Sequence, residues 1–266
     1  MPLFIRKHVA ALLTAVLPLM LAGNAQAEGD HLAIVAVPSI APAAATLNTE
    51  FLRQHPGTAI TVASAASATL GTQIEADGAF DVLLADDQAL PQRLAASGKL
   101  DGGSTRVIGI GLLALWTNTP GVNPGRGRPL FAADYINAIA IADPAGSPFG
   151  VIATTALDRL GVAEIATPKL KRLADDLAVA EEIKARGSDI GLLPMPMVKA
   201  PAYRDIGQYI LLPIGVYEPA QYTASLSKAA SGNALAQAYV EFLRSAPARA
   251  LLATAGFEAP APTPAP

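Results

Sequence analysis

Short apolar segments alternate with segments of helical spacing along most of this chain, and this order constrains the fold more than any other feature. Apolar runs predict strands, and apolar residues spaced three or four apart predict helices. In the first part of the chain they follow the order Leu32–Val37, Pro42–Gln54, Ile60–Ala63, Thr69–Ala76, Phe80–Ala85 and Leu90–Ser97. The alternation implies an α/β fold in which helices cover both faces of a mostly parallel sheet.

The alternation restarts after a loop rich in glycine and proline, which indicates two similar lobes with a cleft between them. Two apolar segments are candidate crossovers between the lobes: Arg106–Thr117, predicted as one long strand, and Ile214–Leu226. We therefore predict lobe 1 in residues 28–110, lobe 2 in 111–214, a return to lobe 1 in 215–258 and a disordered Pro/Ala tail in 259–266.

The first 27 residues are typical of a secretory signal peptide. Arg6 and Lys7 precede an apolar stretch that is short for a membrane span, and Ala25-Gln26-Ala27 fits a small-residue cleavage site. An N-terminal membrane anchor is the alternative. A cleaved signal predicts an exported, periplasmic protein.

Charge and composition exclude several classes of function. The formal net charge of −3 argues against nucleic acid as a partner, because phosphate backbones require clustered cations. No cysteine is present, so the chain has no disulfide and no thiolate nucleophile. After removal of the signal only His31 and His55 remain, and we interpret both as surface residues. A secreted serine hydrolase is therefore a remote alternative, since a serine nucleophile would lack a histidine base.

Two serines stand where a predicted strand gives way to a predicted helix. Ser39 follows the first strand and Ser67 follows the second. A helix start offers free N–H groups and the positive end of the helix dipole, so such positions favour anions. Capping of the helix by each serine is the simpler alternative. Because ligands bind at the carboxyl ends of parallel strands, two such serines favour an anion site there.

Two further helix starts occur in the second half. Asp143-Pro144-Ala145-Gly146-Ser147-Pro148-Phe149-Gly150 predicts a helix capped by Ser147, with the N–H groups of Phe149 and Gly150 pointing out of its start. Asp175-Asp176-Leu177 predicts another, with acids that complement the helix dipole. We interpret the remaining acidic cluster, which includes Asp86 and Asp87, as a solvated turn.

The pattern resembles the periplasmic molybdate-binding proteins of ABC transporters, which are type II periplasmic solute-binding proteins. The matching stretches are VAVPSIAPAAATLNTEF, ASATLGTQIEADGAFDVLLADDQ, IADPAGSPFGVIATTALDRLG and FLRSAPARALLATAGF, in that order. The resemblance implies two α/β lobes and an oxyanion held without a countercharge. By position it implies ligands at Ser39 and Ser67 and backbone N–H donors at Phe149 and Leu177. Pro194 stands where the family often has a tyrosine, and proline offers neither a hydroxyl nor an N–H group.

The leading hypothesis is a monomeric binding protein, without cofactor, that delivers molybdate or tungstate to a membrane ABC permease. We expect it to reject protonated phosphate, because the residues implied by the resemblance include no carboxylate acceptor; Asp143 is the nearest candidate for one. The alternative is the same fold with a changed ligand, another oxyanion or a small organic anion, because Pro194 replaces the tyrosine.

Overall fold

A computed structural model describes residues 30–260. The predicted signal peptide, residues 1–27, and most of the predicted tail, residues 261–266, lie outside the described residues. The strands are β1 His31–Ala36, β2 Ala59–Ser64, β3 Val82–Ala85, β4 Arg106–Gly111, β5 Leu113–Thr117, β6 Ile139–Ala142, β7 Leu170–Leu173, β8 Ile190–Pro194, β9 Gln208–Leu211, β10 Ala220–Leu226 and β11 Phe257–Glu258.

Helices flank these strands. They are α1 Ala41–Gln54, α2 Ser67–Glu75, α3 Ala89–Ala96, α4 Arg128–Phe131, α5 Pro148–Arg159, α6 Ala163–Ala166, α7 Asp176–Lys184, α8 Met195–Lys199, α9 Ala234–Phe242 and α10 Ala246–Thr254. Within residues 30–260 no helix combines the length and the apolar character that a membrane span requires.

Two separate sheets form the molecule. The first has six strands in the order β11-β4-β10-β3-β1-β2, and the second has five in the order β7-β6-β8-β5-β9. We call each sheet with its helices a lobe, numbered 1 and 2. The two-lobed α/β fold predicted from the sequence is confirmed, while the lobe boundaries at 110 and 214 stay a prediction.

Most strands of each sheet run in one direction, as predicted, and each sheet also contains antiparallel pairs. In lobe 1 β2, β1, β3 and β4 share one direction, and in lobe 2 β7, β6, β8 and β9 do so. The other strands are antiparallel to their neighbours. The inner antiparallel strands, β10 in lobe 1 and β5 in lobe 2, are those by which the chain enters each lobe after a crossover.

The prediction of one strand over Arg106–Thr117 is wrong. The chain leaves the first sheet after Gly111 and enters the second at Leu113, so one residue separates two strands of different lobes. The Leu113 N–H donates to the hydroxyl of Tyr217 (3.0 Å), which lies on the other crossover. Tyr217 is 1 % exposed. It therefore joins the two crossovers, and a uniformly apolar sequence gives no sign of this change of sheet.

Candidate ligand-binding site

The parallel strands of lobe 1 end at one edge of their sheet. The ends of β1 and β2 lie side by side, because Ala36 is paired with Ser64, and β3 is parallel to β1 on its other side. Ser39 and Ser67 follow the first two strands, and Asp86 follows the third directly. Polar groups from three separate segments are therefore placed at the edge where α/β sheets bind ligands.

Ser39 and Ser67 both lie inside the molecule rather than on its surface. Ser39 is 1 % exposed and Ser67 is 8 % exposed. The Ser67 hydroxyl donates to Oδ1 of Asp86 (3.0 Å), whereas the Ser39 hydroxyl has no hydrogen-bond partner among the residues that the structure describes. Neither side chain caps its own helix. The capping alternative is therefore wrong for both serines.

The starts of α5 and α7 in lobe 2 face this edge of the lobe 1 sheet, and the two helices are capped differently. At α5, the Ser147 hydroxyl accepts from the Phe149 N–H (3.2 Å), as a helix cap does. At α7, Asp175 is the cap and accepts from the Ala178 N–H (2.9 Å). The Leu177 side chain is exposed, so only its backbone could serve the cleft.

The predicted backbone donors differ in whether their N–H groups are already hydrogen-bonded within the protein. Within residues 30–260 the N–H groups of Ser39, Ser67 and Leu177 donate to no protein acceptor. The Phe149 N–H is already bonded to its own cap, while its buried ring packs on Tyr222 (6.2 Å between centroids). Three of the four predicted backbone positions are thus available to a ligand, and the role of Phe149 as a donor stays a prediction.

Pro194 ends β8 and is buried opposite Leu113 on the crossover strand. Its φ of −64° and ψ of 139° are ordinary for proline. It brings no polar side-chain group to the cleft, as the sequence predicted.

Sequence reasoning missed three residues of the site: Asp86, Asp176 and Tyr222. Each is at most 2 % exposed. In the described part of the chain, Oδ1 of Asp176 and the Tyr222 hydroxyl have no hydrogen-bond partner. The interpretation of Asp86 as part of a solvated turn is wrong. The expectation that the site lacks a carboxylate is also wrong, and Asp143 is not the acid concerned, since its Oδ1 accepts from the Ala145 N–H (3.0 Å).

The two buried acids have raised pKa values. Burial, followed by the charge of Asp87, raises the pKa of Asp86 to about 7, and the hydrogen bond from Ser67 offsets part of this shift. Burial, then the charges of Asp86 and Asp175, raises the pKa of Asp176 well above its usual value. Both carboxyl groups therefore favour their neutral, protonated form.

Tyr222 lies against the same acids. Burial and the charge of Asp86 raise the pKa of its phenol, while the nearby Ser39 hydroxyl opposes that shift. The Ser39 and Tyr222 hydroxyls lie near each other, yet neither has a partner with hydrogen-bond geometry among the described residues. A side chain at Gly111 would collide with the Tyr222 ring, so glycine at the end of β4 permits this close approach.

The lobes are in contact across the site. The Ala68 N–H, at the start of α2 in lobe 1, donates to the carbonyl of Gly146, just before α5 in lobe 2 (3.2 Å). Beside this contact a groove of about 210 Å³ is lined by Ser67, Ser147 and Arg93. The two lobes therefore meet beside the buried polar groups of the cleft.

Neither histidine of the described chain lies beside the cleft serines. His31 contacts Thr61 (3.2 Å), and the His55 ring stacks on Phe51 (4.1 Å between centroids), so neither accompanies Ser39 or Ser67. Among residues 30–260 no group of three or more His, Asp or Glu side chains could hold a metal ion.

Comparison with known proteins finds molybdate-binding relatives of this chain. The molybdate-binding protein ModA of Rhodobacter capsulatus is 29 % identical over 205 residues, which cover 77 % of this chain and 79 % of the relative. ModA of Azotobacter vinelandii is 28 % identical over 187 residues, covering 70 % and 73 %. The resemblance to periplasmic molybdate-binding proteins is thereby confirmed.

Solved structures and family membership agree with the fold. The periplasmic molybdate-binding protein of Azotobacter vinelandii superposes with a TM-score of 0.78 at 25 % identity, covering 86 % of this chain and all of that structure. The model of the family described as "Bacterial extracellular solute-binding protein" matches residues 32–258. Because that match spans most of the sequence, the chain belongs to the family of bacterial extracellular solute-binding proteins.

Proposed function

We propose that the protein captures a tetrahedral oxyanion, with molybdate or tungstate the first candidates, in the cleft between its lobes. The observation that carries this proposal is the set of unused donors at the cleft: the N–H groups of Ser39, Ser67 and Leu177 and the hydroxyl of Ser39. Unpaired buried donors cost free energy, and an oxyanion supplies several acceptors at once.

Helix starts give these donors their preference for anions. The N–H groups of Ser67 and Leu177 lie at the positive ends of α2 and α7. In a closed cleft such bonds are strengthened, because water no longer screens them. The names of the relatives, which are molybdate-binding proteins, favour this oxyanion over others.

A second candidate is the same fold with a changed ligand. Pro194 offers no donor at the end of β8, and one lost hydrogen bond to a charged ligand is worth about 1.5–3 kcal/mol. Another oxyanion or a small organic anion fits that change. The buried carboxyl groups of Asp86 and Asp176 add to this argument, since an ionised carboxylate there accepts a hydrogen bond from a ligand that carries a hydroxyl group.

We further propose that the protein is exported to the periplasm, acts as a monomer and presents its closed form to a membrane ABC permease. The family supports an extracellular binding role. The signal peptide in residues 1–27 and lobe limits at residues 110 and 214 belong to the same proposal.

Isothermal titration of the purified protein with molybdate, tungstate, sulfate and phosphate tests the proposed function. We expect tight binding of molybdate and tungstate. Ser39→Ala and Ser67→Ala are each expected to weaken binding about tenfold or more, because each removes a hydroxyl at the site. Ser231→Ala, which alters an exposed serine bonded to the Lys228 carbonyl, is the control and should bind as the parent does.

Three results would speak against parts of this proposal. Equal affinity in the parent, Ser39→Ala and Ser67→Ala would remove the serines from the site. Binding of phosphate or an organic anion alone would favour the changed ligand. The absence of heat with all four oxyanions would contradict an oxyanion receptor.

A further inference from the structure

Within residues 30–260, three buried polar atoms in the cleft have no hydrogen-bond partner. They are Oγ of Ser39, Oδ1 of Asp176 and the hydroxyl oxygen of Tyr222. They come from both lobes, since Ser39 follows β1, Tyr222 lies on β10 and Asp176 begins α7. Leaving a buried polar group unpaired costs about 1–3 kcal/mol. A ligand that pairs with all three would recover this free energy.

Acids dominate the charge around these atoms. Asp176 is influenced by Asp86 from lobe 1 and by Asp175 from its own helix start. Asp86 is in turn influenced by Asp87 and bonded by Ser67. Arg93 acts on Asp87, while its own side chain is half-exposed and paired with Glu75 (3.1 Å). No cation therefore contacts the two buried carboxyl groups within the described chain.

Two ionised carboxylates and an oxyanion dianion cannot share such a space without a proton. Like charges in a buried site repel strongly, and the common relief is that one group stays protonated. A metal ion would be the other relief, but the described residues hold no group of three metal-ligating side chains.

We propose that this site takes up its oxyanion together with one proton, which lies between the Asp176 carboxyl group and a ligand oxygen. The inference rests on the proposed oxyanion site. A fully ionised oxyanion accepts a hydrogen bond from neutral Asp176, and a monoprotonated oxyanion donates its own proton to ionised Asp176. The charge of the complex is the same in both cases. The ligand class therefore includes oxyanions that carry an ionisable hydroxyl.

The arrangement has a consequence for pH. At low pH the proton is already on the buried acids, whose pKa values are raised by burial and by each other's charge. At high pH the empty site has lost this proton, so the site must take up a proton from solvent when it binds an ionised oxyanion. Affinity for molybdate should then fall about tenfold for each pH unit once the site is deprotonated.

Counting protons in the parent protein tests this directly. Molybdate is titrated calorimetrically in buffers of different ionisation enthalpy, at about pH 6 and about pH 8.5. We expect little proton uptake at the lower pH and an uptake that approaches one proton at the higher pH. Molybdate binding without proton uptake at either pH would overturn the inference and leave the oxyanion site standing. No binding at either pH would overturn both.

Two variants assign the proton to one side chain. Asp176→Asn keeps a donor at the position of the neutral acid but cannot titrate, so its affinity should lose its pH dependence and its proton uptake should vanish. Asp175→Asn is the matched control: it removes a charge from the adjacent residue and keeps a side-chain oxygen to cap Ala178. Loss of proton uptake in Asp175→Asn, or its persistence in Asp176→Asn, would contradict the assignment to Asp176.

Discussion

The starts of α5 and α7 occupy equivalent places in lobe 2 but are used differently. At α5 the Phe149 N–H is taken by the Ser147 cap, and the Gly146 carbonyl bonds lobe 1. At α7 the Asp175 cap serves Ala178 instead. The Leu177 N–H and Oδ1 of Asp176 have no hydrogen-bond partner in residues 30–260.

This difference shows that the position of a cap decides what a helix start can do. The α5 cap accepts a hydrogen bond from the second residue after it, and this uses the first available N–H group. The α5 start can therefore close the cleft without offering that N–H group to a ligand. A cap that bonds the third residue leaves the donor between them free. The α7 start is therefore the stronger candidate for ligand contact in lobe 2.

The largest expected effect concerns the acid that faces α7 from lobe 1. The pKa of Asp86 is raised from 3.8 to about 7, which corresponds to roughly 4 kcal/mol of lost stability once the carboxyl group is ionised. The folded state holds the proton more tightly than the unfolded state. This loss of stability is therefore absent below pH 3.8, the pKa of the carboxyl group in the unfolded state. It grows as the pH rises from 3.8 to about 7 and is constant at higher pH. Ser67, Asp87, Asp176 and Tyr222 face this carboxyl group.

Asp86→Asn removes this titration while keeping an oxygen to accept from Ser67. Relative to the parent, we expect the free energy of unfolding of the variant to rise with pH across the same interval. Denaturant unfolding at several pH values measures the difference. Parallel pH profiles for the two proteins would show that Asp86 is not held neutral by its surroundings.

The next largest effect tests the free donor of α7. Leu177→Pro removes the N–H at a helix position where no intrahelical bond is lost, whereas Leu177→Ala changes only an exposed side chain. We expect the proline variant to bind molybdate about 10–150-fold more weakly, because a hydrogen bond to a charged ligand is worth about 1.5–3 kcal/mol. The alanine variant should bind as the parent does, and thermal unfolding of both checks the fold. Equal affinity of the two variants would remove the Leu177 N–H from the site.

The smallest effect concerns the cap of α5. Ser147→Ala should cost about 1 kcal/mol of stability, because the Phe149 N–H loses its acceptor. Ser245→Ala is the matched control, since Ser245 caps α10 and accepts from the Ala248 N–H (3.3 Å). We expect similar losses in both and nearly unchanged molybdate affinity. A large loss of affinity in Ser147→Ala alone would mean that the α5 start binds ligand as much as the α7 start does.

Most of the secondary structure is predictable from the sequence. The predicted helix Pro42–Gln54 matches α1, and the predicted strand Ile60–Ala63 lies within β2. These succeed because periodic apolar spacing and terminators such as His55-Pro56-Gly57 act locally. The short helices α4, α6 and α8 were not predicted, because four or five residues give too little periodicity.

Sequence by itself also determined half of the candidate site. Ser39 and Ser67 were predictable because strand order fixes which residues reach the carboxyl edge of a parallel sheet. By the same rule Asp86, which follows β3 directly, could have been assigned to that edge. Two adjacent acids, Asp86 and Asp87, are typical of a solvated turn. Their position directly after β3 is the stronger indication, because it places Asp86 at the carboxyl edge of the sheet.

Only the tertiary structure decided that Asp86, Asp176 and Tyr222 meet in one buried cluster. The burial of an acid depends on what packs against it from another part of the chain, and here the partner comes from the opposite lobe. Likewise, the change of sheet at Leu112 depends on where two lobes separate. Local periodicity specifies helices and strands, whereas long-range packing decides which polar groups lose their contact with water and must find a ligand or a proton.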